Sequence, residues 1–97
     1  MNLGFICYKE LSANQKILYL YLLEKAQQGA SGISLEQIGN ELGMVKSTVN
    51  ICIKALEKVH ALKKEKQLNE YGGTTYNRYI LYRFENGTFT ETVEATL

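Results

Sequence analysis

The sequence predicts a small α+β domain in which three helices precede a β-hairpin. Three observations carry that expectation. The segments SANQKILYLYLLEKAQQG and SLEQIGNELG each open on a serine with glutamine three residues on and close on a glycine, the sequence form of a capping box and a left-handed stop. A third segment, GMVKSTVNICIKALEKV (43–59), sets apolar residues at helical spacing behind a polar, cationic front. Two alternating runs rich in strand-forming residues then flank a Gly-Gly pair, which predicts a hairpin.

The first helix is expected to start at Ser12, capped reciprocally by Gln15, and to stop at Gly29. Its centre, Ile17 to Leu23, is seven apolar or aromatic residues in a row, wider than one buried face requires. Three coverings suit that surplus: the strand-like GFICY before it, the tail after residue 84, or a second copy of the chain. In the last case Tyr19 and Tyr21, each an apolar body with a polar tip, are the expected dimer contacts.

The second helix is short. Ser34 and Gln37 stand in capping-box register and Gly43 terminates it, while Leu35, Ile38 and Leu42 share one face. Gly39 inside it costs about 1 kcal/mol of helix propensity, which a close-passing helix would explain. Only Met44 and Val45 separate it from the third helix, 46–59, where Val49, Cys52, Ile53 and Leu56 form an apolar back. Lys46, Ser47, Thr48, Asn50, Ile51 and Lys54 form the other face. A short helix, a glycine turn and a second helix with such a front make a helix-turn-helix, whose second helix reads the major groove with its N-terminal turns. Serine, threonine and asparagine reach base edges or phosphates, and lysine neutralises phosphate.

Strands are expected at 62–68 and 75–84, joined through NEYGGT. Lys64 and Lys66 share a face with Leu62 and Leu68, Lys63 points the other way, and Tyr71 and Arg78 lie at and just past the tip. Together they offer a groove or backbone contact, although edge-strand lysines also serve simply to block aggregation. Residues 85–97, ENGTFTETVEATL, read either as an acidic tail or as an extra strand turned back at Asn86-Gly87. Asn86-Gly87-Thr88 also fits a glycosylation sequon, discounted because no secretory signal precedes it.

Charge supports a polyanion partner. Residues 44–83 carry eight lysines and arginines against three glutamates, whereas both flanks are net acidic. No apolar run approaches the ~18 residues of a membrane span, and the N-terminus lacks a signal peptide's basic start and apolar stretch. A cytoplasmic protein without membrane contact is expected. Enzymatic readings find little support, with one histidine, no aspartate, no phosphate-binding glycine loop and no metal-ligand spacing. No cofactor or metal is implied. Cys7 and Cys52 lie far apart and are expected to be reduced and partly buried.

The run ISLEQIGNELGMVKSTVNICIKALEKVHAL followed by a hairpin resembles the winged helix-turn-helix domains of bacterial, phage and plasmid DNA-binding proteins, with ELGxxKSTVxxxIxxLE the best-matching part. The resemblance spans residues 11–84 and implies a domain over 1–84. The preceding FICYKELSANQKILYLYLLEKA is similar to the opening of phage replisome-organiser and plasmid replication-initiator domains. Two departures stand out. Val45 occupies the place where such domains often cap the recognition helix with serine or threonine, so Ser47 could take over that role. His60 stands where a glycine usually ends that helix, and reads as a surface histidine in a left-handed conformation.

The resemblance and the residues converge on double-stranded DNA binding, as a homodimer on a palindromic or repeated site. The expected contacts are Lys46, Ser47, Thr48, Asn50, Ile51, Lys54, Lys63, Lys64, Lys66, Tyr71 and Arg78. Transcriptional regulation, replication initiation and plasmid partition all suit such a domain, the last two with a protein partner. The alternative is a winged helix that binds protein instead of DNA. Small total charge and the wide apolar band on the first helix favour it, and the lysines on adjacent elements speak against it.

Overall fold

The computed structural model describes the backbone of residues 3–29, 33–68 and 74–97, and the side chains of 4–29, 33–65 and 78–97. Four helices, α1 (Leu3–Ile6), α2 (Ala13–Gln27), α3 (Leu35–Leu42) and α4 (Lys46–Lys58), precede three strands, β1 (Leu62–Leu68), β2 (Thr74–Glu85) and β3 (Thr88–Thr96). The strands form one antiparallel sheet in the order β1-β2-β3. The α+β winged helix-turn-helix class holds, with one helix and one strand more than the three-helix-and-hairpin pattern.

The extra helix is α1, in the segment whose sequence looked strand-like. Here packing overrides propensity. A single turn sinks the Phe5 ring to zero exposure, into a group of rings from four elements. Phe5 lies 5.1 Å from Tyr19, 5.5 Å from Phe84 and 6.1 Å from Phe89, centroid to centroid. Tyr8, in the loop that follows, closes the group at 5.3 Å from Phe84 and 5.8 Å from Phe89. Most of these pairs are edge-to-face, the arrangement that sets positive ring edges against negative faces. The Lys16 ammonium donates to the Ile6 carbonyl and so satisfies the end of the turn.

α2 begins as its sequence requires. The Ser12 N–H donates to Gln15 Oε1 at 2.9 Å, the Gln15 N–H donates back to Ser12 Oγ at 3.4 Å, and Gly29 follows the helix at φ 79°. Phe5 and Phe89 cover its wide apolar band at Tyr19, whose ring lies 5.1 and 5.4 Å from theirs, while Ile17 at the start of the band stays 47 % exposed. Tyr19, expected as a dimer contact, is thus already covered within the single chain. It is 2 % exposed and its hydroxyl donates to the Tyr82 carbonyl across the core, because the polar tip found its acceptor on β2. Tyr21 is half-buried, and its hydroxyl donates to Glu41 on α3, where Lys25 also reaches the same carboxylate at 3.4 Å.

α3 starts at Ser34, whose Oγ accepts the Gln37 N–H at 3.0 Å, and ends at Gly43 in the left-handed region, φ 71°. Gly39 is explained by backbone and not by a neighbouring helix. A Cβ there would lie 2.4 Å from the Met44 carbonyl oxygen, while the nearest α4 atom, Val49 Cγ2, would stand at 3.6 Å. The chain folds back over Gly39, and the Met44 N–H donates to the Gly39 carbonyl at 2.9 Å. α4 follows with Val49, Cys52, Ile53 and Leu56 buried. Val45 is its N-cap without a side-chain hydrogen bond, and Ser47 lies inside the first turn and not at the cap.

The end of α4 is a Schellman motif with histidine in the glycine place. His60 adopts φ 63°, its N–H donates to Glu57 O at 3.1 Å, and the Ala61 N–H donates to Leu56 O at 2.8 Å. Leu62 then pairs opposite Leu81 and opens the wing. Asn86 and Gly87, both at positive φ (54° and 83°), turn β2 into β3 as a two-residue hairpin. Residues 88–96 thus form a strand, bulged against Tyr82 and Phe84, that puts Phe89 opposite Phe84.

Three outcomes test this packing. Gly39→Ala should destabilise the fold by about 1–3 kcal/mol in urea unfolding, despite a propensity gain of about 1 kcal/mol, since backbone must move to admit the methyl group. Tyr19→Phe should cost about 1–3 kcal/mol by leaving a core carbonyl without its donor. The Tyr21 hydroxyl, with Lys25 beside it, holds the Glu41 carboxyl below its ordinary 4.5. A carboxyl depressed in the folded state stabilises above its unfolded pKa and loses that contribution as pH falls through the folded value. Stability compared at about pH 6 and about pH 3 should therefore drop less in Tyr21→Phe than in the parent chain.

Candidate nucleic-acid interface

The apolar back of α4 fixes what its front presents. With Val49, Cys52, Ile53 and Leu56 buried, the 100° helical step sets Ser47, Ile51, Lys54 and Lys58 in one row facing away from the core. All four are exposed, Ile51 at 63 %. Lys46 is exposed at the first helical position, and Thr48 and Asn50 flank the row, half-buried. The row therefore runs from a small hydroxyl, through one apolar side chain, to two ammonium groups.

Among the described residues no carboxylate pairs with Lys46, Lys54 or Lys58. Their charge is free for another partner. Lys58 joins this row as a further candidate that the sequence reading did not name, although its i, i+4 relation to Lys54 was visible.

The Schellman turn carries α4 into β1 within three residues, so Lys63 and Lys64 follow directly. Both are exposed, and Lys63 lies 3.7 Å from Glu65 on the same strand. An exposed pair of that kind contributes little and leaves the lysine able to exchange partners. Arg78 is exposed on β2 opposite Glu65. The Lys66 side chain, Tyr71 and the Gly72-Gly73 tip lie outside the described residues.

Arg83 belongs elsewhere, although it counts toward the basic half of the sequence. Its Nε donates to Glu94 at 2.6 Å and its Nη1 lies 3.4 Å from Glu85, contacts that push its pKa up. The acidic flank thus neutralises the arginine next to it and leaves the lysines of α4 alone. Cys52 is buried behind α4 and desolvation pushes its thiol up, which disfavours the reactive thiolate. Cys7, expected to be partly buried, is instead free and exposed just past the single turn of α1, whose core contact is made by Phe5. Among the described residues no three histidine, cysteine or acidic groups gather as a metal site, and no helix is long and apolar enough to cross a membrane.

No family model matches the chain, and no curated protein matches it. Its backbone is similar to a solved structure described as a possible transcriptional regulator from Methanosarcina mazei Go1, at TM-score 0.60 and 21 % identity over 82 % of this chain. The match spans 63 % of that protein's length. At that identity the likeness is one of fold: helices followed by an antiparallel sheet.

Proposed function

We propose that this domain binds double-stranded DNA, with α4 in the major groove and the β1–β2 wing against the adjoining backbone, in the service of transcriptional regulation. The observation that carries the reading is the row Ser47, Ile51, Lys54 and Lys58, each exposed and facing away from the buried back of the helix. A helix needed only for packing has no use for unpaired ammonium groups along its front. Lys46 and the first-turn N–H groups, which Val45 leaves without a side-chain cap, suit a phosphate at the groove edge. Lys63, Lys64 and Arg78 extend the positive surface onto the sheet, with Lys66 and Tyr71 assigned to the same contact from the sequence.

The task of regulation accords with the description of the Methanosarcina mazei protein, and rests on a likeness of fold. Replication initiation and plasmid partition employ the same contact surface. Pairing of two copies on a palindromic or repeated site belongs to the proposal as well, but without Tyr19 at the interface. A protein-binding winged helix is the competing reading, and the wide apolar band that favoured it is covered at Tyr19 by Phe5 and Phe89 but leaves Ile17 47 % exposed.

With about four to six phosphates contacted, the logarithm of affinity for a labelled duplex should fall against the logarithm of salt concentration with a slope of roughly −4 to −5. The double variant Lys46→Ala/Lys54→Ala should flatten that slope by about 2 and weaken binding to all sequences alike. Fluorescence anisotropy measures both. A flat salt response in the parent chain would remove the DNA reading.

A further inference from the structure

One residue of the outward row is out of character with the rest. Ile51 is a branched apolar side chain, 63 % exposed, one turn after Ser47 and one turn before Lys54. It touches no core, since the buried side of α4 is filled by Val49, Cys52, Ile53 and Leu56. The surrounding groups identify its occupant. Two cations beyond it, a hydroxyl before it and the exposed Lys46 at the helix start make the surface complementary to a polyanion and not to an apolar protein face.

In a DNA major groove one base alone offers an apolar group at its edge, the C5-methyl of thymine. We infer that Ile51 is a specificity-determining residue that packs on a thymine methyl, so that the site bound by this domain contains thymine under the second turn of α4. The inference rests on the DNA-binding reading and deepens it. Asn50, half-buried on the flank of the same turn, adds a consistent preference, because a carboxamide pairs in bidentate fashion with adenine N6 and N7. No arginine stands on α4 to make the commonest guanine contact. The centre of the recognised site is therefore expected to be A·T base pairs, with lysine contacts to phosphate on either side.

The test uses duplexes that the parent chain itself selects from a random-sequence pool, resynthesised with single thymidines replaced by deoxyuridine, which removes the methyl and nothing else. At one or two positions the replacement should weaken binding about fourfold, the worth of one buried methyl group. In Ile51→Ala the same replacement should have no effect, and the variant should bind the thymidine duplex several-fold more weakly than the parent chain does. Ile51 is exposed, so this variant keeps its core. Deoxyuridine tolerated at every position, with binding still lost in Lys46→Ala/Lys54→Ala, would overturn the thymine contact and leave DNA binding standing. A deoxyuridine penalty that persists in Ile51→Ala would assign the methyl effect to DNA shape and overturn the role of Ile51. No binding of any duplex at low salt would remove both readings and turn Ile51 into a candidate protein contact.

Discussion

The absence of a side chain at Gly39 is the constraint on which the outward face of α4 depends. The carbonyl of Met44 comes to 2.4 Å from where a Cβ would stand, so only glycine lets the chain fold back this tightly after α3. Gly43 supplies the left-handed residue and the Met44 N–H closes the turn onto Gly39. These contacts leave only Met44 and Val45 between the helical ends at Gly43 and Lys46, so the direction of α4 follows from the turn. Burial of Val49, Cys52, Ile53 and Leu56 then fixes its rotation. With both settled, the outward row is a geometric consequence, and each of its residues is exposed.

A second group of contacts holds the sheet to the helices from the far side. Phe5, Tyr8, Tyr19, Phe84 and Phe89 come from α1 and its following loop, α2, β2 and β3, and the Tyr19 hydroxyl donates to the Tyr82 carbonyl. Without Phe89 on β3, one face of Tyr19 and Phe84 would lose its cover. That gives residues 88–96 a structural part to play, and their glutamates an electrostatic one. Glu85 and Glu94 hold Arg83 on the β2–β3 side, so the positive charge of the domain is concentrated toward α4 and β1.

Much of this was legible in the sequence because it depends on local chemistry. The caps at Ser12 and Ser34, the stops at Gly29 and Gly43, the left-handed His60 and the turn at Asn86-Gly87 are short-range hydrogen-bond or backbone requirements. The apolar back of α4 followed from period alone. What the sequence hid was long-range. GFICY has the composition of a strand, and only the rings gathered from β2 and β3 make a helical turn the better way to bury Phe5. Tyr19 looked like a surface residue because its partner Tyr82 lies sixty-three positions away. The reason for Gly39 was misassigned in the same way, since a sequence gives no sign that a carbonyl five residues on will press against it. Of the candidate contacts, those on α4 follow from periodicity, and Lys58 falls in the last turn, away from the N-terminal turns that a helix-turn-helix presents to bases.

The junction between α4 and β1 explains why helix and wing act as one surface. Between Lys58 and Leu62 the chain has three residues, and each is fixed by backbone bonds: Val59 and His60 to the last turn of α4, Ala61 to Leu56. The Ala61 carbonyl also accepts the Tyr82 N–H at 2.9 Å, which ties the same corner to β2. Ala61 is wholly buried, so the corner is packed as well as bonded. A hinge here would let Lys63 and Lys64 drift relative to Lys54 and Lys58, and each would then meet phosphate at its own entropic cost. The bonded corner instead holds these ammonium-bearing segments in one fixed relation before any ligand arrives. Preorganisation of that kind reduces the ordering cost of binding. In this domain it comes from the backbone bonds of the corner, which His60 allows by adopting a left-handed φ of 63° in a place that ordinarily favours glycine.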